Sequence, residues 1–170
     1  MSLGPTRLWA WSRWLHRKGL RRTARAVKFV NFLLYKCLLP AEAEVGRGVE
    51  LKHYGLGTVI HANARIGDDV TIYHNVTIAG QSWIGSPHKV EIEEGVLIGV
   101  GSLIIPRDHQ GLRIGRDSVI APGAVVVGDV PERHLATGVP ATVRPYTKRA
   151  EERAEQRVDG PGEDGGEGEG

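Results

Sequence analysis

A chain of 170 residues with a formal net charge of +2 fits one domain. Its one cysteine, Cys37, excludes an intramolecular disulfide and suits a reducing cytoplasm. Two phenylalanines against 23 glycines exclude a large aromatic core and suit a narrow one filled by Ile and Val.

The balanced total hides an asymmetry. Residues 1–41 carry nine Arg or Lys and no acid, whereas residues 151–170 carry eight acids and two Arg. Residues 1–39 read as a basic amphipathic helical segment. A first helix holds Leu8, Trp9, Trp11, Trp14 and Leu15, and Gly19 breaks it. A second runs from Leu20 to Lys36 with Ala24, Val27, Phe29 or Val30, Leu33 and Leu34 on one face. These helices are expected to cap the open end of the next unit and to hold subunits together. Trp and Arg on amphipathic helices also suit peripheral contact with an anionic membrane. No apolar run reaches the roughly 20 residues of a membrane span, and none reads as a signal-peptide core.

After Pro40 a new period begins. Apolar residues fall at Val45, Leu51, Ile60, Ile66, Ile72, Ile78, Ile84, Ile92, Ile98, Ile104, Ile114, Ile120 and Val126, mostly six apart. A helix face repeats near 3.6 residues and a flat strand near 2. A period of six marks a parallel β-helix of stacked coils, expected over residues 40–146. Three steps are too long: Leu51 to Ile60 by three residues, Ile84 to Ile92 by two and Ile104 to Ile114 by four. In a stacked solenoid extra residues bulge outward, and loops on a rigid scaffold carry function. Residues 147–170 read as a charged, glycine-rich disordered tail.

The chain has seven histidines. His16 reads as a surface residue, and His109 and His134 lie in a loop and a late turn. His53 lies in the first bulge, within Lys52-His53-Tyr54-Gly55-Leu56-Gly57. A histidine there titrates near neutrality and suits proton abstraction, or is simply an exposed loop residue. His61 and His74 read as turn residues between coils, with Asn63 and Asn75 at corners. No tight metal-ligand spacing, P-loop or dinucleotide fingerprint occurs. Neither a metal nor a nucleic-acid partner is expected.

The hexads, Val59 to Val70, Val76-Thr77-Ile78, Gly95 to Gly101 and the closing Gly138-Val139-Pro140-Ala141 resemble the hexapeptide-repeat acyltransferases. Within them the likeness is to the serine O-acetyltransferase branch and related polysaccharide O-acetyltransferases, over about residues 38–145. The resemblance implies a left-handed β-helix, a homotrimer with sites between subunits, acetyl-CoA as co-substrate and an acceptor hydroxyl. It places His53 at the position of the catalytic base. The acceptor would meet Lys52, Tyr54, His88 and Lys89. Coenzyme A would lie along Gly80, Gly99, Gly101, Ser102 and Ala124, with its phosphates near Arg144 and Lys148. Two departures stand out. The aspartate that orients the base in that branch is Leu38 here, and the one before the base is Lys52. A lysine there repels an ammonium and favours an acidic or neutral acceptor. The helical part is also shorter than in typical serine acetyltransferases. The expected location is cytoplasmic, with the inner face of the membrane as an option. Readings outside acyl transfer are a gamma-type carbonic anhydrase and a non-catalytic trimeric scaffold.

Overall fold

The computed structural model describes residues 4–80, 83–108 and 110–146. His109, Lys148 and the expected tail lie outside the described residues.

Two helices come first, α1 (Pro5–Arg17) and α2 (Arg21–Tyr35). Pro5 opens α1, where its missing N–H costs nothing. Gly19, at φ 80°, makes the break between the helices. Lys36, left-handed at φ 55°, ends α2. The helices pack through small and polar contacts. Ser12 Oγ donates to the Ala24 carbonyl at 3.0 Å, and Asn31 Nδ2 donates to the Pro5 carbonyl at 3.0 Å. α1 also seats on the solenoid: Trp9 is buried in its core and donates from Nε1 to the Pro40 carbonyl at 2.8 Å. Arg13 donates to the Val45 carbonyl at 2.6 Å. α2 departs from expectation. Only Ala24 and Asn31 are buried, while Phe29, Val30, Leu33 and Leu34 face away from the protein. Ala24 is the small residue that lets the two backbones approach, so the larger apolar side chains are left outside.

The solenoid makes four three-strand coils. The first holds β1 (Glu44–Val45), β2 (Glu50–Leu51) and β3 (Val59–Ile60), and the second β4 (Ala64–Ile66), β5 (Thr71–Ile72) and β6 (Thr77–Ile78). The third holds β7 (Val90–Ile92), β8 (Leu97–Ile98) and β9 (Leu103–Ile104), and the fourth β10 (Leu112–Ile114), β11 (Val119–Ile120) and β12 (Val125–Val126). β13 (His134–Thr137) and the antiparallel β14 (Thr142–Pro145) close the far end. Equivalent strands pair in parallel, giving three faces: β1-β4-β7-β10, β2-β5-β8-β11 and β3-β6-β9-β12.

The register explains the six-residue period. Val45, Ile66, Ile92 and Ile114 stack on the first face. Leu51, Ile72, Ile98 and Ile120 stack on the second, and Ile60, Ile78, Ile104 and Val126 on the third. All but the first of these columns' members are buried in one core, against which Val45 packs. Each buried Ile contributes about 1.5–3 kcal/mol by leaving water.

Ile84 is the exception. It is 64% exposed and belongs to no strand. Among the described residues no strand lies between Ile78 in β6 and Val90 in β7, so Ile84 is not a rung of the solenoid. The loop is tethered: Asn63 Nδ2 donates to the Trp83 carbonyl at 2.7 Å, and the Gly85 N–H donates to Asn63 Oδ1 at 2.8 Å. Asn63 is thus a buried clamp, whereas Asn75 is the left-handed corner, at φ 55°.

The outward positions of the three faces differ. On the first, Glu44, Arg65, Glu91 and Arg113 alternate in charge across paired strands. The second carries Glu50, Thr71, Leu97 and Val119, and the third Val59, Thr77, Leu103 and Val125.

Candidate active site

The first bulge is a short turn, Lys52–Gly55, at the corner between the second and third faces. His53 (φ 51°, ψ 41°) and Tyr54 (φ 59°, ψ 16°) are both left-handed. Two consecutive non-glycine residues in that region carry backbone strain, which persists only where the surroundings hold it. The surroundings are visible. The Gly57 N–H donates to the Lys36 carbonyl at 3.1 Å, and Tyr35 stacks on Tyr54 with ring centroids 5.7 Å apart. The end of α2 therefore braces the bulge. Gly57 itself, at φ 69°, has no room for a Cβ because the Asn75 side chain fills that space.

His53 is turned outward and exposed. Its ring meets His74 edge to face at a centroid distance of 4.9 Å and tilts against Tyr73 at 6.2 Å. His74 Nδ1 is buried and makes no hydrogen bond among the described residues. Leu38, at the position where the resemblance would put an aspartate, is occupied in the fold: its backbone bridges to Val59. An imidazole and a phenol thus flank His53, and Leu38 brings no carboxylate to it. Sequence reasoning treated His74 as a packing residue and did not single out Tyr73 or Tyr35.

Lys52 pairs with Glu50 at 2.8 Å, and that hydrogen bond raises its pKa. The positive charge beside His53 is therefore matched by a carboxylate. Tyr54 is exposed against Tyr35.

The remaining expected residues divide by corner. Gly99, Gly101, Ser102 and Ala124 lie at or beside the corner column that carries His53. The Gly101 N–H donates to the His74 carbonyl at 3.1 Å, and the Gly123 N–H to Val100 at 2.8 Å. The side chains of Ser102 and Ala124 point into the core, and Ser102 Oγ donates to the Gly99 carbonyl at 2.8 Å. The N–H groups of Gly99, Ser102 and Ala124 are bonded within the solenoid too. Gly80, His88 and Lys89 stand at a different corner, between the third and first faces. Gly80 has the His61 ring where a Cβ would stand. Lys89 is ion-paired with Glu44, and the His88 N–H donates to Ser86 Oγ at 3.1 Å. Within one chain the fold does not bring these three to His53. Arg144 is exposed on β14, paired with Leu135. Among the described residues no cluster of three or more His, Cys, Asp or Glu side chains is set to hold a metal ion.

A three-faced parallel solenoid of six-residue rungs, with a histidine held out on an edge bulge, is the build of the hexapeptide-repeat acyltransferases. No family model matches the chain. Individual relatives do. A serine acetyltransferase of Mycobacterium tuberculosis is 36% identical over 130 residues, covering 76% of this chain and 55% of the relative. One of Helicobacter pylori is 32% identical over 127 residues, covering 75% of this chain and 71% of the relative. Among solved structures, soybean serine acetyltransferase complexed with serine superposes with a TM-score of 0.74 at 30% identity, over 82% of this chain and 56% of that one. The Brucella abortus serine acetyltransferase in complex with coenzyme A does so with a TM-score of 0.74 at 28% identity, over 84% and 55%. The chain belongs to the serine acetyltransferase family. It spans about half the length of several curated relatives it matches, 55% of the Mycobacterium protein and 46% of the Escherichia coli one.

Proposed function

We propose that the chain is an acetyl-CoA-dependent O-acetyltransferase acting on the hydroxyl of a small acceptor, with serine first and a sugar second. The observation that carries this reading is the strained, braced bulge that presents His53 at the solenoid edge. Relatives of the same build have been captured with serine and with coenzyme A.

An alcohol ionises far above neutral pH and attacks a thioester poorly until a base takes its proton. His53 takes that proton as the acceptor oxygen bonds to the acetyl carbonyl carbon. The carbonyl oxygen becomes an oxyanion, which preorganised donors stabilise. The carbon–sulfur bond then breaks, the acetyl ester is released, and His53 returns its proton to the departing thiolate. His74 and Tyr73 hold the His53 ring in the attacking direction. The pairing of Lys52 with Glu50 removes the net repulsion that an unpaired lysine would exert on an ammonium, so an amino acid acceptor stays open.

The protein acts as a homotrimer. Two of its three faces carry mainly Thr, Val and Leu outward, with Glu50 on the first coil paired to Lys52, and meet at the His53 corner, while the charged first face stays in water. Subunit contact along those faces sets the Gly80–Lys89 loop of one chain against the His53 corner of the next. That gives His88 and Lys89 access to a shared acceptor site. The working compartment is the cytoplasm.

Thiol release from acetyl-CoA with serine, homoserine and simple sugars tests the reading. Acceptor-dependent release with at least one of them is expected. No acceptor-dependent release with any would favour the non-catalytic scaffold.

A further inference from the structure

The apolar side of α2 has no partner within the chain. Ala24 and Asn31 face α1, and helical spacing puts Phe29, Val30, Leu33 and Leu34 on the opposite arc. They are 59%, 45%, 49% and 63% exposed. Single surface apolar residues need no explanation, but four large ones in one arc mark a contact surface.

The charges around it say what kind. Arg22 and Arg25 lie about three and two turns before Leu33 on the N-terminal half of the arc and its edge, with Lys36 at the C-terminal end. Residues 4–41 hold nine Lys or Arg, and the first acid in the chain is Glu42. A second copy of this helix would set two acid-free basic surfaces against each other, which like-charge repulsion opposes. A bilayer with anionic headgroups takes the four side chains into its acyl boundary and the cations among its phosphates. A groove beside the helix, lined in part by Arg21, Arg25, Lys28, Phe32 and Leu38, combines cations and apolar surface in the same way. At 15 residues α2 is shorter than the roughly 20 of a membrane span, so it lies on the surface.

We infer that α2 is an interfacial helix that docks the protein on an anionic lipid surface. Its last residue, Tyr35, stacks on Tyr54 beside His53, so the dock holds the candidate site close to the bilayer. The inference rests on the helix and its charges and stands apart from the acyl-transfer reading.

Co-sedimentation of the full chain with vesicles tests it without any turnover. Vesicles of mixed phosphatidylglycerol and phosphatidylcholine should pellet the protein. Pure phosphatidylcholine vesicles, or high salt, should lower the bound fraction roughly tenfold. Phe29→Ser with Leu33→Ser, and separately Arg22→Gln with Arg25→Gln, should each weaken binding by a similar factor. Both pairs should leave the thermal midpoint in place, and the arginine pair decides the matter if the other fails to fold. Absent pelleting, or pelleting indifferent to lipid charge and to the arginine pair, would overturn the inference. So would a Phe29/Leu33 variant that sediments as a smaller oligomer than the wild type, since a second copy would then cover the face.

Discussion

His53 and His74 stand edge to face, with ring centroids 4.9 Å apart and an interplanar angle of 83°. They are corner residues of successive coils. Leu51 pairs with Ile72, a step of 21 residues, and the same step carries His53 to His74. The coil register therefore sets one ring under the other, and the left-handed bulge turns the upper one outward.

If His53 is the proposed base, His74 serves as a positioning residue rather than one that touches the acceptor. His74→Ala should lower kcat about tenfold with little change in KM, because the base loses its orientation while acceptor contacts remain. His74→Phe, which keeps a ring, should recover most of the loss. Equal effects of both on KM would instead assign His74 to acceptor binding.

The rungs and the loop make opposite predictions for one residue type. Ile72 is fully buried, so Ile72→Ala should cost about 2–5 kcal/mol in denaturant unfolding. Ile84 is mostly exposed, so Ile84→Ala should stay within about 0.5 kcal/mol.

Asn63 joins the loop to the second coil through two hydrogen bonds. Asn63→Ala should cost about 1–3 kcal/mol, near 0.5–1.5 per bond. Proteolysis should quicken in the segment 80–88, with the solenoid core left intact.

Stability should fall at both ends of the pH range. A hydrogen bond from Lys89 is the largest cause holding Glu44 below the usual carboxylate range, and one from Arg113 does the same for Glu93. A depressed carboxylate contributes stability above its unfolded pKa, near 4.3, that is lost as pH drops through the lower folded value. Both pairs are largely solvent-exposed, so the loss is small, and Lys89→Ala should shrink it. Cys37 acts in the other direction. Burial pushes its thiol up to about 11, so its contribution is full below the unfolded value near 8.5 and is lost as pH rises towards 11. Thermal midpoints between pH 3 and pH 11 (roughly that span) should trace both limbs.

Most of the fold was legible because the core has one dimension. Every isoleucine six residues from its neighbour faces inward as long as the coils stack, and twelve of the thirteen marked positions do. Ile84 could be read as a rung or as part of a long loop over 79–91, because a six-residue step recurs by chance inside a loop, and only pairing with a neighbouring coil separates a rung from a mimic. His53 was legible as a bulge residue. His74 was named only as packing, although the 21-residue coil step puts it beneath His53. The direction of α2 was not legible, because an amphipathic pattern states which residues share a face and not what that face meets. Ala24 and Asn31 settle the direction through close approach to α1. Gly80, His88 and Lys89 are legible as loop residues, but within one chain they stand at a different corner from His53, which spacing along the sequence does not show.

The proposed role of His53 as the base of acetyl transfer is tested most directly by thiol release by wild type and His53→Ala, with the accepted acceptor at saturation and matched circular dichroism spectra. A fall of about a hundredfold to ten-thousandfold in kcat is expected for the variant. Equal acceptor-dependent release by the two proteins would contradict it.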